Sequence, residues 1–317
     1  MKDFPILDKK DTRSGFGKGL YEAALKNPNI VALCADLTGS VKMDEFAKAF
    51  PDRFYQMGIA EANMIGVAAG LATAGKIPFT GTFANFSTAR VFDQIRQAVA
   101  YSNKNVKICA SHAGITLGED GATHQTLEDI GMMKMLPGMT VVVPCDYEQT
   151  RLATLAVAEY EGPVYLRFGR PKQVVFTTAA QDFVIGKAQL LDVGRDISIF
   201  ATGIMVWEAI QACKKLEEMG IDAEIINIHT IKPLDNHAIL NSVKKTGCVV
   251  TAEEHQINGG LCDSISQLLC REYPVPVEAV AIFDQWGQSG TPDELMKLYN
   301  LTSDAIVNAA VKAIQRK

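Results

Sequence analysis

Short apolar or β-branched runs alternate with longer stretches of helical periodicity along almost the whole chain. That alternation predicts an α/β architecture with largely parallel sheets flanked by helices. In the first half, 29–35, 106–111, 140–143 and 164–168 read as strands, and 14–26, 61–73, 87–101 and 147–160 read as helices. Asp146 and Gln149 have the spacing of a capping box at the last of these. A second series follows, with strand-like runs at 197–201, 223–228, 248–252 and 277–281 and helical patterns at 206–219, 236–245, 261–271 and 303–315. Between the two series, 170–186 brings a proline, polar residues and a broken apolar pattern. Two α/β domains in series are therefore expected, over 8–172 and 187–317.

Composition adds mainly exclusions. The 317 residues are 48% hydrophobic and 21% charged, enough for a sizeable core in each domain. A net charge of -5 has the wrong sign for binding nucleic acid or anionic lipid, so any anion site must be local. No apolar run is long enough to span a bilayer, and Met1-Lys-Asp-Phe-Pro lacks the apolar core of a signal peptide, so a cytoplasmic location is expected. The seven cysteines lack Cys-x-x-Cys spacing and read as small core residues of a protein in a reducing compartment.

Chemistry concentrates between His112 and Gln125, where two imidazoles and two carboxylates lie among three glycines. The segment follows a predicted strand, and open α/β sheets place their ligands beyond such strand ends. Gly118 and Gly121 permit the positive backbone angles that let a loop fold over a bound molecule. Four weaker signals accompany it. Glu61 opens a helix of small and apolar residues, which predicts a desolvated carboxyl with its protonated form favoured. Phe83 and Phe86 follow Gly81 and offer a platform for a flat heterocycle. Asp36 to Ser40 follows the first strand with hydroxyl and backbone donors suited to an anion. Arg167 and Arg170 end another strand and suit a phosphate. In the second domain, His229, His237 and His255 lack metal-ligand spacing, Glu253-Glu254-His255 reads as a structural or interface element, and Gly259-Gly260 as a tight helix entry.

Taken in order, Asp11-Thr-Arg13, Ala35-Asp36-Leu with Ser40, Ile59-Ala-Glu61-Ala-Asn-Met, Gly81-Thr-Phe83-Ala-Asn-Phe86, Ser111-His112, Gly118-Glu-Asp120-Gly-Ala-Thr-His124, Arg170-Pro and Thr230-Ile-Lys-Pro-Leu-Asp235 resemble the last two domains of transketolases. The resemblance runs from about Lys10 to the C-terminus. It implies a thiamine diphosphate-binding fold, with a pyrimidine-binding domain followed by a transketolase C-terminal domain. It also implies an enzyme that moves a two-carbon ketol unit from a ketose phosphate to an aldose phosphate, as in the pentose phosphate pathway. Glu61 would then hydrogen-bond the aminopyrimidine ring and promote its imino tautomer, Phe83 and Phe86 would enclose that ring, and Asp36 would line the cofactor site near the subunit contact. His124 would contact the reacting end of the substrate and the cofactor amino group, and Asp120 would hydrogen-bond the donor's C2 hydroxyl. Arg13, Ser40, His112 and Arg170 would hold the sugar phosphate. Ala89 departs from members that carry a further aromatic there.

The family's Gly-Asp-Gly segment, which with a later asparagine binds metal and diphosphate, does not occur in this chain. The resemblance therefore implies a split enzyme, in which a separate N-terminal subunit holds Mg²⁺ and the diphosphate and two copies of each subunit form a heterotetramer. The alternatives are a 2-oxo acid dehydrogenase β subunit, a deoxyxylulose phosphate synthase-like fragment, or a non-catalytic assembly subunit.

Overall fold

The apolar runs become the inner strands of two sheets in a computed structural model that describes residues 4–317. The first sheet has seven strands in the spatial order Thr230–Lys232, Thr140–Val142, Val164–Arg167, Lys107–Ser111, Ile77–Phe83, Ile30–Cys34 and Phe54–Gln56. Every neighbouring pair is parallel except the first. The second sheet has five strands, in the order Val277–Ile282, Val249–Gln256, Ile197–Ala201, Ala223–Asn227 and Gln189–Asp192, with only the last pair antiparallel. Strands such as Ile30–Cys34 and Ile197–Ala201 are buried throughout, as both-faces-covered parallel sheets require. Among the described residues no helix is long and apolar enough to cross a membrane.

One strand ties the halves together, and a ribbon ties the connecting stretch to the start of the first. Thr230–Lys232 lies beyond the first two strands of the second series, yet it pairs with Thr140–Val142 at the edge of the first sheet. Within the 170–186 stretch, Lys172–Val175 forms an antiparallel ribbon with Asp8–Asp11. That ribbon leads into the helix Thr12–Lys26, whose N-terminus is capped by Asp11 accepting from the Ser14 N–H at 3.0 Å. The helix lies on Tyr147–Glu159 at glycine contacts: a Cβ at Gly15 would sit 2.2 Å from the Tyr147 carbonyl oxygen, and one at Gly19 2.7 Å from that of Arg151. This close approach fixes the first turn that carries Arg13.

Several expectations need correction. The strand Ile77–Phe83 occupies the middle of the first sheet, although Pro78 and Gly81 obscure its β pattern. The helix expected over 87–101 is broken: Ala84–Ser87 ends at Thr88, and a short 3-10 turn, Phe92–Gln94 and a π-helical stretch Ile95–Tyr101 follow. The Ser87 and Thr88 hydroxyls donate back to the Phe83 and Ala84 carbonyls, a local alternative to the helical ladder. Asp146 does accept from the Gln149 N–H, but Gln149 returns its side-chain oxygen to the Cys145 N–H, one residue before the cap. Six cysteines are buried and free as expected, whereas Cys270 is exposed.

Candidate active site

Glu61 is the first residue of the helix Glu61–Thr73 and is 5% exposed. The predicted burial is present, but the carboxyl is not left unpaired in apolar surroundings. Arg90 Nη1 donates to Glu61 Oε1 at 2.7 Å, and the Arg90 guanidinium carbon lies 4.0 Å from the centroid of the Phe86 ring. Phe83 and Phe86 stack with centroids 5.7 Å apart and planes 16° from parallel. A buried carboxylate beside a half-open aromatic face is a fitting seat for a flat, hydrogen-bonding heterocycle, and Arg90 covers part of that face.

His112 follows the strand Lys107–Ser111 with a left-handed φ of 58°, a conformation in which residues near active sites are often held. Its ring stacks on Phe83 at 3.8 Å, and the Ser111 hydroxyl hydrogen-bonds Nδ1. Burial, with the positive Arg13 and Arg170 nearby, pushes the imidazole down to about 3, so the ring is neutral near pH 7. Arg13 Nη1 lies 3.5 Å from His112 Nε2 and donates to the Ser40 carbonyl at 3.0 Å. Asp11 stands 3.3 Å from Arg13 Nε on the other side. Arg13, Ser40 and His112 therefore form one corner, to which Ser40 contributes its backbone oxygen. Arg170 belongs to the same electrostatic neighbourhood, but its guanidinium donates to the Leu117 carbonyl at 2.6 Å and to Glu119 at 2.7 Å.

The rest of the loop turns as its glycines predicted, with φ of 98° at Gly118 and 73° at Gly121. Asp120 is exposed. His124 is half-buried, with its ring edge on Phe86 at 5.4 Å and Nδ1 2.9 Å from the Thr123 hydroxyl. Asp36 is exposed in a left-handed turn, its N–H donating to Gln56 Oε1 at 2.7 Å. Arg167 is not available to a phosphate. It is buried in an ion pair with Asp129 at 2.7 Å, and the Tyr165 hydroxyl donates to the same carboxylate oxygen at 2.6 Å.

Sequence reasoning missed the residues that hold these groups in place. Gln56 also accepts from the Gly58 N–H and donates to Thr38, tying the Asp36 turn to the segment before Glu61. Asn85 donates to the Thr123 carbonyl at 2.8 Å and so joins the aromatic segment to the histidine loop. Its place between Phe83 and Phe86 was the available signal. Nothing in the sequence pattern marks Arg90 or Gln56.

The second sheet's strand end is different in kind. Glu253 accepts from the Leu261 and Cys262 N–H groups at 2.6 and 2.8 Å, so the helix start after Gly260 already holds a carboxylate of this chain rather than an outside anion. Burial pushes Glu253 up to about 7, the neighbouring Glu254 upward as well, and His255 down to about 4. Among the described residues, no group of three or more His, Cys, Asp or Glu side chains is placed to hold a metal ion.

Comparison with known proteins gives the family of the two domains. The family model described as transketolase, pyrimidine binding domain, matches residues 8–173, and that described as transketolase, C-terminal domain, matches 186–306. The 6-deoxy-6-sulfo-D-fructose transketolase subunit SqwH of Clostridium sp. (strain MSTE9) is 45% identical over 298 residues, covering 94% of this chain and 92% of that protein. A putative transketolase C-terminal section from Methanocaldococcus jannaschii is 43% identical over 311 residues, covering 97% and 98%. A solved structure titled "Split gene transketolase, inactive beta4 tetramer" superposes with a TM-score of 0.92 at 46% identity, covering 97% of this chain and 99% of that one. Domain matches, full-length relatives and fold all agree: this chain belongs to the transketolase family.

Proposed function

We propose that this chain is the C-terminal subunit of a split transketolase, transferring a two-carbon ketol unit from a ketose phosphate to an aldose phosphate with thiamine diphosphate. The reading rests above all on one juxtaposition: buried Glu61 and the stacked Phe83 and Phe86 stand beside the corner formed by Arg13, Ser40 and His112. The donor set suits the aminopyrimidine end of the cofactor, because a buried carboxylate can share a proton with a ring nitrogen while the aromatic pair takes the ring face. Bound thiamine diphosphate would supply the carbanion chemistry of the transfer. Glu61 would leave Arg90 to hold the ring, and Phe83 and Phe86 would exclude water from it. His124 and Asp120 would orient the reacting end of the sugar, while Arg13, His112 and Arg170 would bind its phosphate with charge-assisted hydrogen bonds. Asp36, at the rim, would line the cofactor site near the contact with the partner.

In this reading Mg²⁺ and the diphosphate are held by a separate N-terminal subunit in a heterotetramer of two plus two, in the cytoplasm. The pyrimidine-binding domain spans 8–172 and the C-terminal domain 187–317. The name of the SqwH relative favours one refinement of the substrate: the Arg13 and His112 corner matches a sulfonate as well as a phosphate.

The test is ketol transfer with thiamine diphosphate and Mg²⁺, using a ketopentose phosphate or a 6-sulfo ketohexose as donor and an aldose phosphate as acceptor. It is run on this chain alone and mixed with an N-terminal subunit. Activity in the mixture alone is expected. Activity of the single chain removes the split-site reading, and none in either arm removes the transferase reading.

A further inference from the structure

The C-terminal domain contributes no residue to the proposed site, yet it grips the loop that does. Glu254 lies near the end of the strand Val249–Gln256 and is 5% exposed. Its Oε1 accepts from the Thr116 N–H at 2.6 Å, across the domain junction and beneath the 112–125 loop. Gly114 presses on the same carboxylate with a φ of 82°, so closely that a Cβ there would lie 2.2 Å from the Glu254 Cδ. The strand beneath is itself fixed, because Arg167 Nη2 donates to the Glu254 carbonyl at 3.0 Å while its Nε is held by Asp129.

A second grip comes from the loop's outer edge. Gln125 Nε2 lies within hydrogen-bond distance of the Ile115, Gly118 and Gln288 carbonyls, at 3.0, 3.3 and 3.0 Å, and only the last belongs to the C-terminal domain. A Cβ at Gly121 would meet Ser289 Oγ at 2.6 Å, so the 287–290 segment lies against the loop beside Asp120. The loop needs such support: His112, Gly114, Gly118 and Gly121 all have left-handed backbones, which a free 14-residue segment would rarely adopt together.

We propose that Glu254 is a positioning residue of the ketol-transfer site: through the Thr116 N–H and Gly114 it sets the 112–125 loop so that Asp120 and His124 face the substrate. The C-terminal domain then acts as the template on which the substrate half of the site is shaped. The cofactor half, made of Glu61, Phe83 and Phe86, lies on other segments and meets the loop near its two ends, through Phe83 on His112 and through Phe86 and Asn85 at His124 and Thr123, away from the anchor at Gly114 and Thr116. The inference rests on the ketol-transfer reading for its consequence, although the anchor can be observed without it.

The experiment compares Glu254→Ala and Glu254→Gln with the unaltered chain. Backbone hydrogen exchange over 112–125 is read on the chain alone, and donor KM, kcat and thiamine diphosphate affinity on the complex with the N-terminal subunit. Glu254→Ala is expected to lose protection at Thr116 to Gly118 and to raise donor KM about tenfold, with a much smaller change in cofactor affinity. Glu254→Gln keeps an oxygen acceptor and is expected to restore both. Gln125→Met, which removes the outer grip, should shift KM in the same direction and serves if Glu254→Ala does not fold. Intact protection in Glu254→Ala overturns the proposal, as does a parallel fall in donor and cofactor affinity. Lost protection in a chain whose unaltered complex transfers no ketol group supports the anchor and overturns the reaction assigned to the site.

Discussion

Asp120 and Asp129 lie nine positions apart, and the structure gives them opposite environments. Asp120 sits exposed in a loop that turns through positive φ at His112, Gly114, Gly118 and Gly121. Asp129 is wholly buried, held by Arg167 and Tyr165, with His255 Nε2 3.9 Å from its other oxygen. The same contrast separates the strand ends of the two sheets. At the ends of Ile30–Cys34, Ile77–Phe83 and Lys107–Ser111 the first carries groups with donors or faces open to a ligand, although its strand Val164–Arg167 ends in the buried Arg167–Asp129 pair. The end of Val249–Gln256 carries Glu253, Glu254 and His255, whose hydrogen-bonding capacity is directed within the chain. Two sheets of similar construction thus divide the labour: strain and exposure on one side, a satisfied polar network on the other, as expected where a site is held by its scaffold.

Glu61 tests where that division runs, since it is as buried as the scaffold but is paired with a half-exposed arginine. If it belongs to the site, Glu61→Gln should lower kcat by about 10² to 10⁴, the range for losing a positioned proton-transfer group, with the thermal midpoint nearly unchanged. Full turnover would move Glu61 to the scaffold. The aspartates come next. Asp129→Ala strands the Arg167 charge in the core and should cost about 3–5 kcal/mol in urea unfolding, whereas Asp120→Ala should stay within about 0.5 kcal/mol while lowering ketol transfer. Similar stability losses in both would erase the contrast.

The legible parts of the fold were those where burial on both faces imposes an unbroken apolar run, as at Ile30–Cys34 and Lys107–Ser111. Ile77–Phe83 escaped because its proline and glycine mark edges and bulges in most sheets, and Thr230–Lys232 because three residues that cross to another domain's sheet leave no periodic trace. In the site, residue type betrayed the groups suited to touch a ligand: carboxylate, imidazole, guanidinium and aromatic rings clustered after strands. Type did not reveal their partners. Arg167 and Arg170 look equivalent in sequence, but only tertiary structure decides that one meets Asp129 in the core and the other Glu119 at the surface. Gln56, Arg90, Gln125 and Glu254 act through contacts with residues 20 to 163 positions away, which no local pattern encodes.

Acid should reveal the two regions as separate contributions to one stability curve. Burial pushes His112 down to about 3, and His229 and His255 to about 4, against about 6.5 in an unfolded chain. On acidification the unfolded state takes up these protons first, so the histidine contribution is complete above about pH 6.5 and is lost as pH falls toward the folded values. Glu253 acts in the opposite direction. Raised to about 7, it binds its proton in the folded state first, so it favours unfolding as pH climbs from about 4.5 to 7. Between pH 6.5 and 4.5 each ring should cost about 2 kcal/mol and Glu253 should return about as much as one ring, a net loss of roughly 4 kcal/mol from these four groups that the raised Glu254 makes smaller. Urea midpoints at the two pH values read this directly, and a flat profile would show that the rings are not buried neutral. His112→Gln should remove one ring's share of the acid loss at little cost at pH 7, because the ring it replaces serves a ligand. His255→Gln should remove a similar share but lower stability at both pH values, since its ring bonds the Gln256 carbonyl and the Gly131 N–H within the scaffold.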